Sequence, residues 1–406
     1  MRIAFRDMRA VPAACLLCLA LPCGALRAES GAGEEGPLAE FAALYTADAL
    51  ANVHGGLEEG SAYLDYIELG IGFDAGRALG VDDLSVYASV FRRNQPTFSE
   101  RYVGDAMIVS NIDSASPLRV FEAWLEWGFE VRGPASLRVG MYDLSSEFDV
   151  LESRALFLNS AYGIGHDLAQ TGLNGPSIYP VTALGARIAW EPHDEWLVRL
   201  AVIDGVPGDP EERGRSRLHL SSSEGALMVG EAKFGGPRLR AGAGYWRYTA
   251  AFPELWPADP EAPATRNDNA GGYVMAEYAS AAAQGPDGPR WMAFVRAGTA
   301  EEHINVFDRF VSAGITRRLA WPRGSGSHLG LAAAQSRVGG DYRAMRAAEG
   351  LATDSCEFGV ELTWRVLLGR HLALQPDLQY VHNPGADPGI PDAWVVGLRV
   401  ELFAVW

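Results

Sequence analysis

The chain has 406 residues, of which 48% are hydrophobic and 21% are charged, and its mean hydropathy is −0.02. Because no segment after the amino-terminal region reaches the ~18 to 20 apolar residues of a spanning helix, this composition excludes a helical membrane protein. The formal net charge of −17 argues against nucleic acid as a partner.

The first 28 residues are predicted to be a secretory signal. Arg2, Arg6 and Arg9 make its start basic, residues 11–21 are apolar, and Ala28 is a small residue suited to cleavage, with cleavage after Ala25 as the alternative. The signal holds four Arg and one Asp, so the rest of the chain carries about −20. We therefore divide the chain into a signal peptide, 1–28, and one domain, 29–406.

The mature domain is predicted to be all-β, because sixteen segments have the length and alternation of strands. No helical heptads, internal repeats or low-complexity tracts interrupt them. The predicted strands are 41–54, 61–76, 83–94, 117–130, 135–143, 182–191, 195–204, 224–234, 237–248, 271–280, 290–298, 305–318, 327–337, 355–367, 370–381 and 393–406.

Several strands have one apolar face and one face that carries charge. In 121–129 the odd positions from Phe121 to Phe129 are apolar, and Glu122 and Glu126 alternate with them. The stretches 182–190 and 196–203 show the same alternation, with Arg187 and Arg199 opposite the apolar positions. Unpaired charge is costly in a packed sandwich core, so a water-filled lumen explains the charged face better.

The carboxy-terminal strand gives the clearest pattern. Its apolar positions alternate from Trp394 to the final residue, Trp406, with Arg399 and Glu401 on the other face. An aromatic end to such a strand is typical of outer-membrane barrels, in which aromatic girdles lie at the membrane interfaces.

The connections alternate between short and long. Short Gly, Pro and Asp turns are predicted to be periplasmic, as in bacterial outer-membrane barrels. The long loops, which include 95–116, 205–223 and 251–269, are predicted to be external. The longest connection, 144–181, is expected to fold into the lumen and narrow it, because a loop of this length in a compact protein is usually functional. The fold prediction is a 16-stranded antiparallel transmembrane β-barrel.

Ordered motifs over nearly all of the mature chain resemble the carbohydrate-selective porins of the OprB type. The most specific stretch begins at residues 138–143 and continues through 146–149 and 156–160 to 175–187. Other similar stretches are 45–56, 110–112, 121–126, 204–210, 244–249, 361–363, 374–380 and 397–399. The chain departs from the family in lacking a Trp-Gly-Gly segment before the first strand and in ending on Trp406, where Phe is commoner.

The resemblance implies a sixteen-stranded barrel in the bacterial outer membrane that passes glucose and related sugars by diffusion. It implies small sugars and ions as solutes and outer-membrane lipid as surroundings. We also expect the barrel-assembly machinery to act through the strand that ends at Trp406, and a homotrimer to be the assembly to test. Neither a cofactor nor a metal is expected.

A sugar pore needs charged or aromatic side chains that bind hydroxyls weakly. The candidate lumen residues are Glu122, Glu126, Arg138, Arg187, Arg199, Glu231 and Trp246, and the candidate constriction-loop residues are Glu147, Asp149, Asn159 and Asp167. Two alternatives stay open: each charged residue forms a wall salt bridge without touching solute, and Trp246 faces the lipid instead.

Other function classes fit the sequence less well. Ser160 and His166 are close in sequence, but no nucleophile motif surrounds them, so an enzyme is not expected. The alternatives kept are a general cation-preferring porin without sugar selectivity and a secreted β-rich carbohydrate-binding protein. The second does not explain the alternating loop lengths or the terminal aromatic residue.

Overall fold

The computed structural model describes residues 37–94, 97–114, 118–209, 224–236, 238–257, 264–280, 289–320 and 326–406. The predicted signal, 1–28, lies outside these residues, as do parts of the predicted external loops 205–223 and 251–269.

Sixteen strands close into one antiparallel barrel, in which β18 pairs with β1. The strands are β1 (Ala39–His54), β2 (Gly60–Asp74), β3 (Leu84–Arg93), β4 (Leu118–Glu130), β5 (Pro134–Tyr142), β6 (Ala183–His193), β7 (Trp196–Asp204), β8 (Ala226–Gly235), β9 (Leu239–Tyr248), β10 (Phe252–Pro253), β11 (Thr265–Arg266), β12 (Ala270–Ala279), β13 (Trp291–Ala300), β14 (Phe307–Leu319), β15 (Ser327–Val338), β16 (Cys356–Leu368), β17 (Leu372–His382) and β18 (Ala393–Val405). Of the strands in the described residues, only β10 and β11 stay outside the barrel, as a small separate hairpin. The predicted fold and all sixteen predicted strands are confirmed.

Helices are few and short. They are α1 (Ala75–Leu79), α2 (His166–Ala169) and α3 (Gly340–Ala348), a π-helical turn at Ser99–Val103, and 3-10 turns at Leu144–Ser146, Glu152–Leu156, Ser160–Tyr162 and Pro384–Ala386. Within the described residues, no helix has the length and apolar character needed to cross a membrane.

The predicted division into two faces holds along β18. Trp394, Val396 and Leu398 are 40–43% exposed on the outside, whereas Arg399 and Glu401 on the inside are 2% and 4% exposed. The outer surface is therefore apolar and the inner surface charged, which is the arrangement that a lipid exterior and a polar lumen require.

β4 departs from simple alternation near its amino-terminal end. The pairing with β3 shifts between Ser89↔Glu122 and Val90↔Val120, so Phe121 is an extra residue in a β-bulge. Phe121 therefore turns inward and is 3% exposed. The prediction that it shares the outer face with Phe129 is wrong, because a bulge changes the phase of a period-two pattern.

Two connections fold back into the barrel. The segment 143–182, between β5 and β6, packs its apolar side chains with inward residues of β7 to β15 in one buried cluster. The segment 97–113, between β3 and β4, packs in a second buried cluster with inward residues of β1 to β4, β17 and β18, including Val395 and Phe403. We expected 95–116 to be an external loop, and for 97–113 that expectation is wrong.

Candidate functional site

The inner wall holds the 143–182 loop by its backbone amides. Carboxylates on three different strands each accept hydrogen bonds from loop N–H groups, which satisfies peptide groups that would otherwise be buried without partners. The bonds join Glu231 on β8 to Asp149 N at 2.8 Å, Glu277 on β12 to Ser153 N at 2.7 Å, and Glu361 on β16 to Leu158 N and Asn159 N at 2.7 and 3.0 Å.

Wall cations hold the same loop by its carbonyl and carboxylate oxygens. Arg187 on β6 donates to both carboxylate oxygens of Glu147, at 2.7 and 2.8 Å. Arg199 on β7 and Lys233 on β8 donate to the backbone oxygen of Glu147, and Lys233 also donates to that of Val150. Positive and negative wall groups thus bind complementary groups of one loop.

Two arginines face each other across adjacent strands at the centre of this network. Arg138 on β5 and Arg187 on β6 are register partners, a placement of like charges that is unfavourable alone. Glu126 on β4 compensates them, with contacts of 2.7 Å to Arg138 and 2.9 Å to Arg187. Arg138 also stacks over the ring of Trp124 at 3.9 Å. We call Glu126, Arg138, Arg187, Glu147 and Arg199 the buried ladder.

A second ion cluster holds the middle of the loop. Asp149 accepts hydrogen bonds from Arg154 of the loop and from Arg296 of β13, and Arg296 also pairs with Asp167. The backbone of Asp149 has φ of +56°, in the left-handed region that non-glycine residues rarely adopt. The surrounding bonds to Glu231 and Gly165 fix this conformation.

The ion pairs determine the charge of the two loop carboxylates, which lie outside the membrane-spanning strands. Burial alone would raise the pKa of Glu147, but the guanidiniums of Arg187, Arg138 and Arg199 hold it well below its usual range. Burial would likewise raise the pKa of Asp149, and Arg296 and Arg154 keep it below its usual range. Both side chains are therefore ionised at neutral pH.

All seven candidate lumen residues lie on the inner face, and six of them are buried. The side chain of Glu126, 17% exposed, is the most open of the set. Trp246 is fully buried and faces inward, with Tyr248 at 6.1 Å between ring centroids, so the lipid-facing alternative is not the observed one. The loop candidates Glu147, Asp149, Asn159 and Asp167 are also buried, with exposures of 7%, 2%, 6% and 0%. Contact of any of these residues with a solute stays a prediction.

Two open charged residues were absent from the sequence candidates. Arg240 on β9 and Glu152 on the loop form an ion pair at 2.5 Å, and their side chains are 41% and 54% exposed. Arg240 is in phase with Trp246 along β9, which could have placed it on the inner face. Gly242 and Gly244 between them weaken the alternation on which such a prediction depends.

The inward segment 97–113 was also missed, although it resembles the larger loop in how it is held. Glu357 on β16 accepts hydrogen bonds from the N–H groups of Ala106 and Met107, both at 2.8 Å. The two loops also contact each other, because Ser160 N donates to the backbone oxygen of Ile108 at 2.9 Å. Together they fill part of the lumen.

The possible catalytic pair does not form. His166 is buried and its Nδ1 lies 2.9 Å from the hydroxyl of Ser336 rather than near Ser160. Burial and the nearby Arg296 lower the pKa of His166 to about 3, so the ring is neutral. Within the described residues, no group of three or more His, Cys, Asp or Glu could hold a metal ion.

Comparison with known proteins agrees with this architecture. The model of the OprB family, described as carbohydrate-selective porins, matches residues 58–402. Porin B of Pseudomonas aeruginosa is 22% identical over 400 residues, which cover 89% of this chain and 87% of that protein.

Solved structures show the same fold. The high-pH structure of Pseudomonas putida OprB has a TM-score of 0.81 at 19% identity, covering 90% of this chain and 94% of that one. The outer membrane channel DcaP of Acinetobacter baumannii has a TM-score of 0.52 at 12% identity, covering 92% and 100%. Because the family model spans most of its length, the chain belongs to the carbohydrate-selective porin family and is a porin of the bacterial outer membrane.

Proposed function

We propose that this porin passes small, glucose-like sugars by passive diffusion through the part of the lumen that its two inward loops leave open. The observation that carries the proposal is the attachment of the 143–182 loop to wall charges on β6, β7, β8, β12 and β16. A loop fixed on so many sides narrows a sixteen-stranded barrel, which is otherwise wide enough for a general aqueous channel.

The inner surface supports passage of neutral, hydroxyl-bearing solutes. Charged donors and acceptors can replace part of the hydration of a sugar hydroxyl, and the binding must stay weak enough for the solute to leave. We infer that transport needs no catalytic step, no cofactor and no energy source other than the solute gradient.

Export and assembly belong to the same proposal. We infer that the segment 1–28 directs export and is then removed, and that the barrel-assembly machinery acts on β18. Trp406 at its end is 65% exposed and stacks on Phe41 of β1 at 6.5 Å, next to the closing seam. A homotrimer surrounded by outer-membrane lipid is the assembly we expect, and chemical crosslinking in native membranes tests it.

The test of function is single-channel conductance of refolded protein in a planar bilayer, titrated with glucose. We expect an open channel whose current falls saturably as glucose rises. An open channel that is indifferent to glucose would contradict the sugar proposal and favour a general diffusion porin. No channel from verified folded barrel would contradict pore function altogether.

A further inference from the structure

Charged side chains inside the barrel differ in how much of their surface water can reach. Arg187, Arg199 and Glu231 have side chains that are 1–7% exposed, and each is bonded to the loop or to a neighbouring wall group. A solute cannot bind a group without access to it. Among the inward charges of the residues that the structure describes, Arg240 and Glu152 are the ion pair that combines wide exposure, 41% and 54%, with a fixed position.

A buried carboxylate of the neighbouring strand fixes the position of Arg240. Its register partner on β12 is Glu277, which is 1% exposed and accepts the Arg240 Nη1–H at 3.0 Å. Glu277 is held in turn by the amide and hydroxyl of Ser153, at 2.7 and 2.5 Å. The guanidinium is therefore preorganised at the joint between wall and loop, where its rotamer entropy has already been lost.

Both ion pairs of Arg240 use the same nitrogen. Nη1 donates to Glu152 and to Glu277, so Nη2 and Nε have no partner among the described residues. Glu152 uses Oε2 for Arg240, which leaves Oε1 without a partner there as well. The pair thus has unused donors and an unused acceptor on side chains that are 41% and 54% exposed.

We propose that Arg240 and Glu152 form the contact that recognises sugar hydroxyls in this channel, a step that rests on the sugar-pore function proposed above. The free guanidinium edge donates to one hydroxyl oxygen, and the free carboxylate oxygen accepts from the neighbouring hydroxyl of a vicinal diol. The contact lies near the start of β9, where Arg240 is the second residue, at the end of the barrel that we predict to be periplasmic.

The charges select neutral solutes. Arg240 contributes +1, while Glu152 and Glu277 contribute −2, so the group carries a net charge of −1. A sugar acid therefore meets repulsion where a neutral sugar forms hydrogen bonds. The substrate class that fits is the neutral polyol, rather than a carboxylate or a phosphate ester.

The experiment compares glucose block of single channels formed by the full mature chain and by its variants. Arg240→Lys keeps the charge and the ion pairs but removes the second donor edge, and we expect it to weaken glucose block about tenfold. Arg240→Gln should weaken glucose block at least as much. Glu152→Gln should weaken glucose block less but strengthen block by gluconate, because it removes the net negative charge.

The matched control is Arg266→Gln. Arg266 pairs with Asp268 at 2.6 Å on the β11 hairpin, outside the barrel, and is partly exposed like Arg240. The control should keep the glucose block of the wild type.

Glucose block within twofold of the wild type in both Arg240 variants would overturn the proposal, whereas wild-type channels that glucose does not block would overturn the sugar-pore function itself. Arg240→Lys retains its carboxylate partners, so the loop stays attached and its result can be interpreted without Arg240→Gln.

Discussion

Two parts of the inner wall carry similar side chains and use them differently. In the buried ladder on β4 to β7, the arginines are enclosed by Glu126 and Glu147 and are nearly inaccessible to water. On β9, Arg240 makes two ion pairs through one nitrogen and stays 41% exposed. We infer from this difference that an inward charge serves either to attach the loop or to meet a solute, and that exposure, not residue type, separates the two roles.

The largest effect should follow loss of the carboxylate of Glu147. Glu147→Gln leaves the charges of Arg187 and Arg138 buried without a full partner, which we expect to cost on the order of 3–5 kcal/mol. Thermal unfolding and limited proteolysis of the 143–182 loop measure this cost. The comparison variant is Glu152→Gln, whose exposed pair should cost about 1 kcal/mol or less. Equal losses in the two variants would contradict the distinction between the regions.

A second variant tests whether the ladder narrows the pore. Arg187→Ala combined with Arg199→Ala removes the guanidinium of Arg187 that binds the Glu147 carboxylate. It also removes the hydrogen bond from Arg199 to the backbone oxygen of Glu147. The loop should then be free to leave its position, and single-channel conductance should rise by about twofold or more with added noise, while glucose block weakens. A double variant with unchanged conductance and glucose block would remove these residues from the constriction.

The smallest effect concerns pH. The pKa values of Glu147 and Asp149 are lowered in the folded protein, so their ionised forms stabilise the loop at pH values above the ordinary carboxyl pKa of about 4. That contribution is lost only as the pH falls through the lowered folded values. The Glu147 and Asp149 ion pairs should therefore stay intact between about pH 8 and pH 5, and channel noise should increase as the pH falls below about 4. Burial raises the pKa of Asp143, in the same loop, to about 7, so a change in conductance between pH 5 and 8 would belong to that carboxyl. Single-channel recording from pH 8 to about pH 3 checks this, and noise that does not increase below about pH 4 would contradict it.

Strand positions could be predicted from the sequence because lipid and water impose opposite requirements on alternate residues. In β18 the period-two pattern runs unbroken from Trp394 to Leu402, and the structure follows it. At Phe121 the same rule fails, because one extra residue in β4 changes which face the following positions take. A bulge has no signal in a hydrophobic pattern.

The interior was harder to predict than the wall. Phe98, Val103, Val109 and Ile112 are buried in the segment 97–113, but their spacing matches neither a strand nor a helix. Their burial depends on partners far away in the chain, such as the Glu357 carboxylate that accepts from Met107 N. Arg240 was missed for a related reason, since its proposed role depends on Glu152 and Glu277, on two other elements.

The most direct test of the account is a glucose titration of single channels in which Arg240→Lys and the Arg187→Ala, Arg199→Ala double variant are recorded side by side. We predict that Arg240→Lys keeps the open-channel conductance and raises the glucose concentration for half block about tenfold. The double variant should instead change the conductance itself. The opposite result would contradict the separation of loop attachment from sugar contact. In that result, Arg240→Lys alters the conductance, and the double variant leaves both conductance and glucose block unchanged.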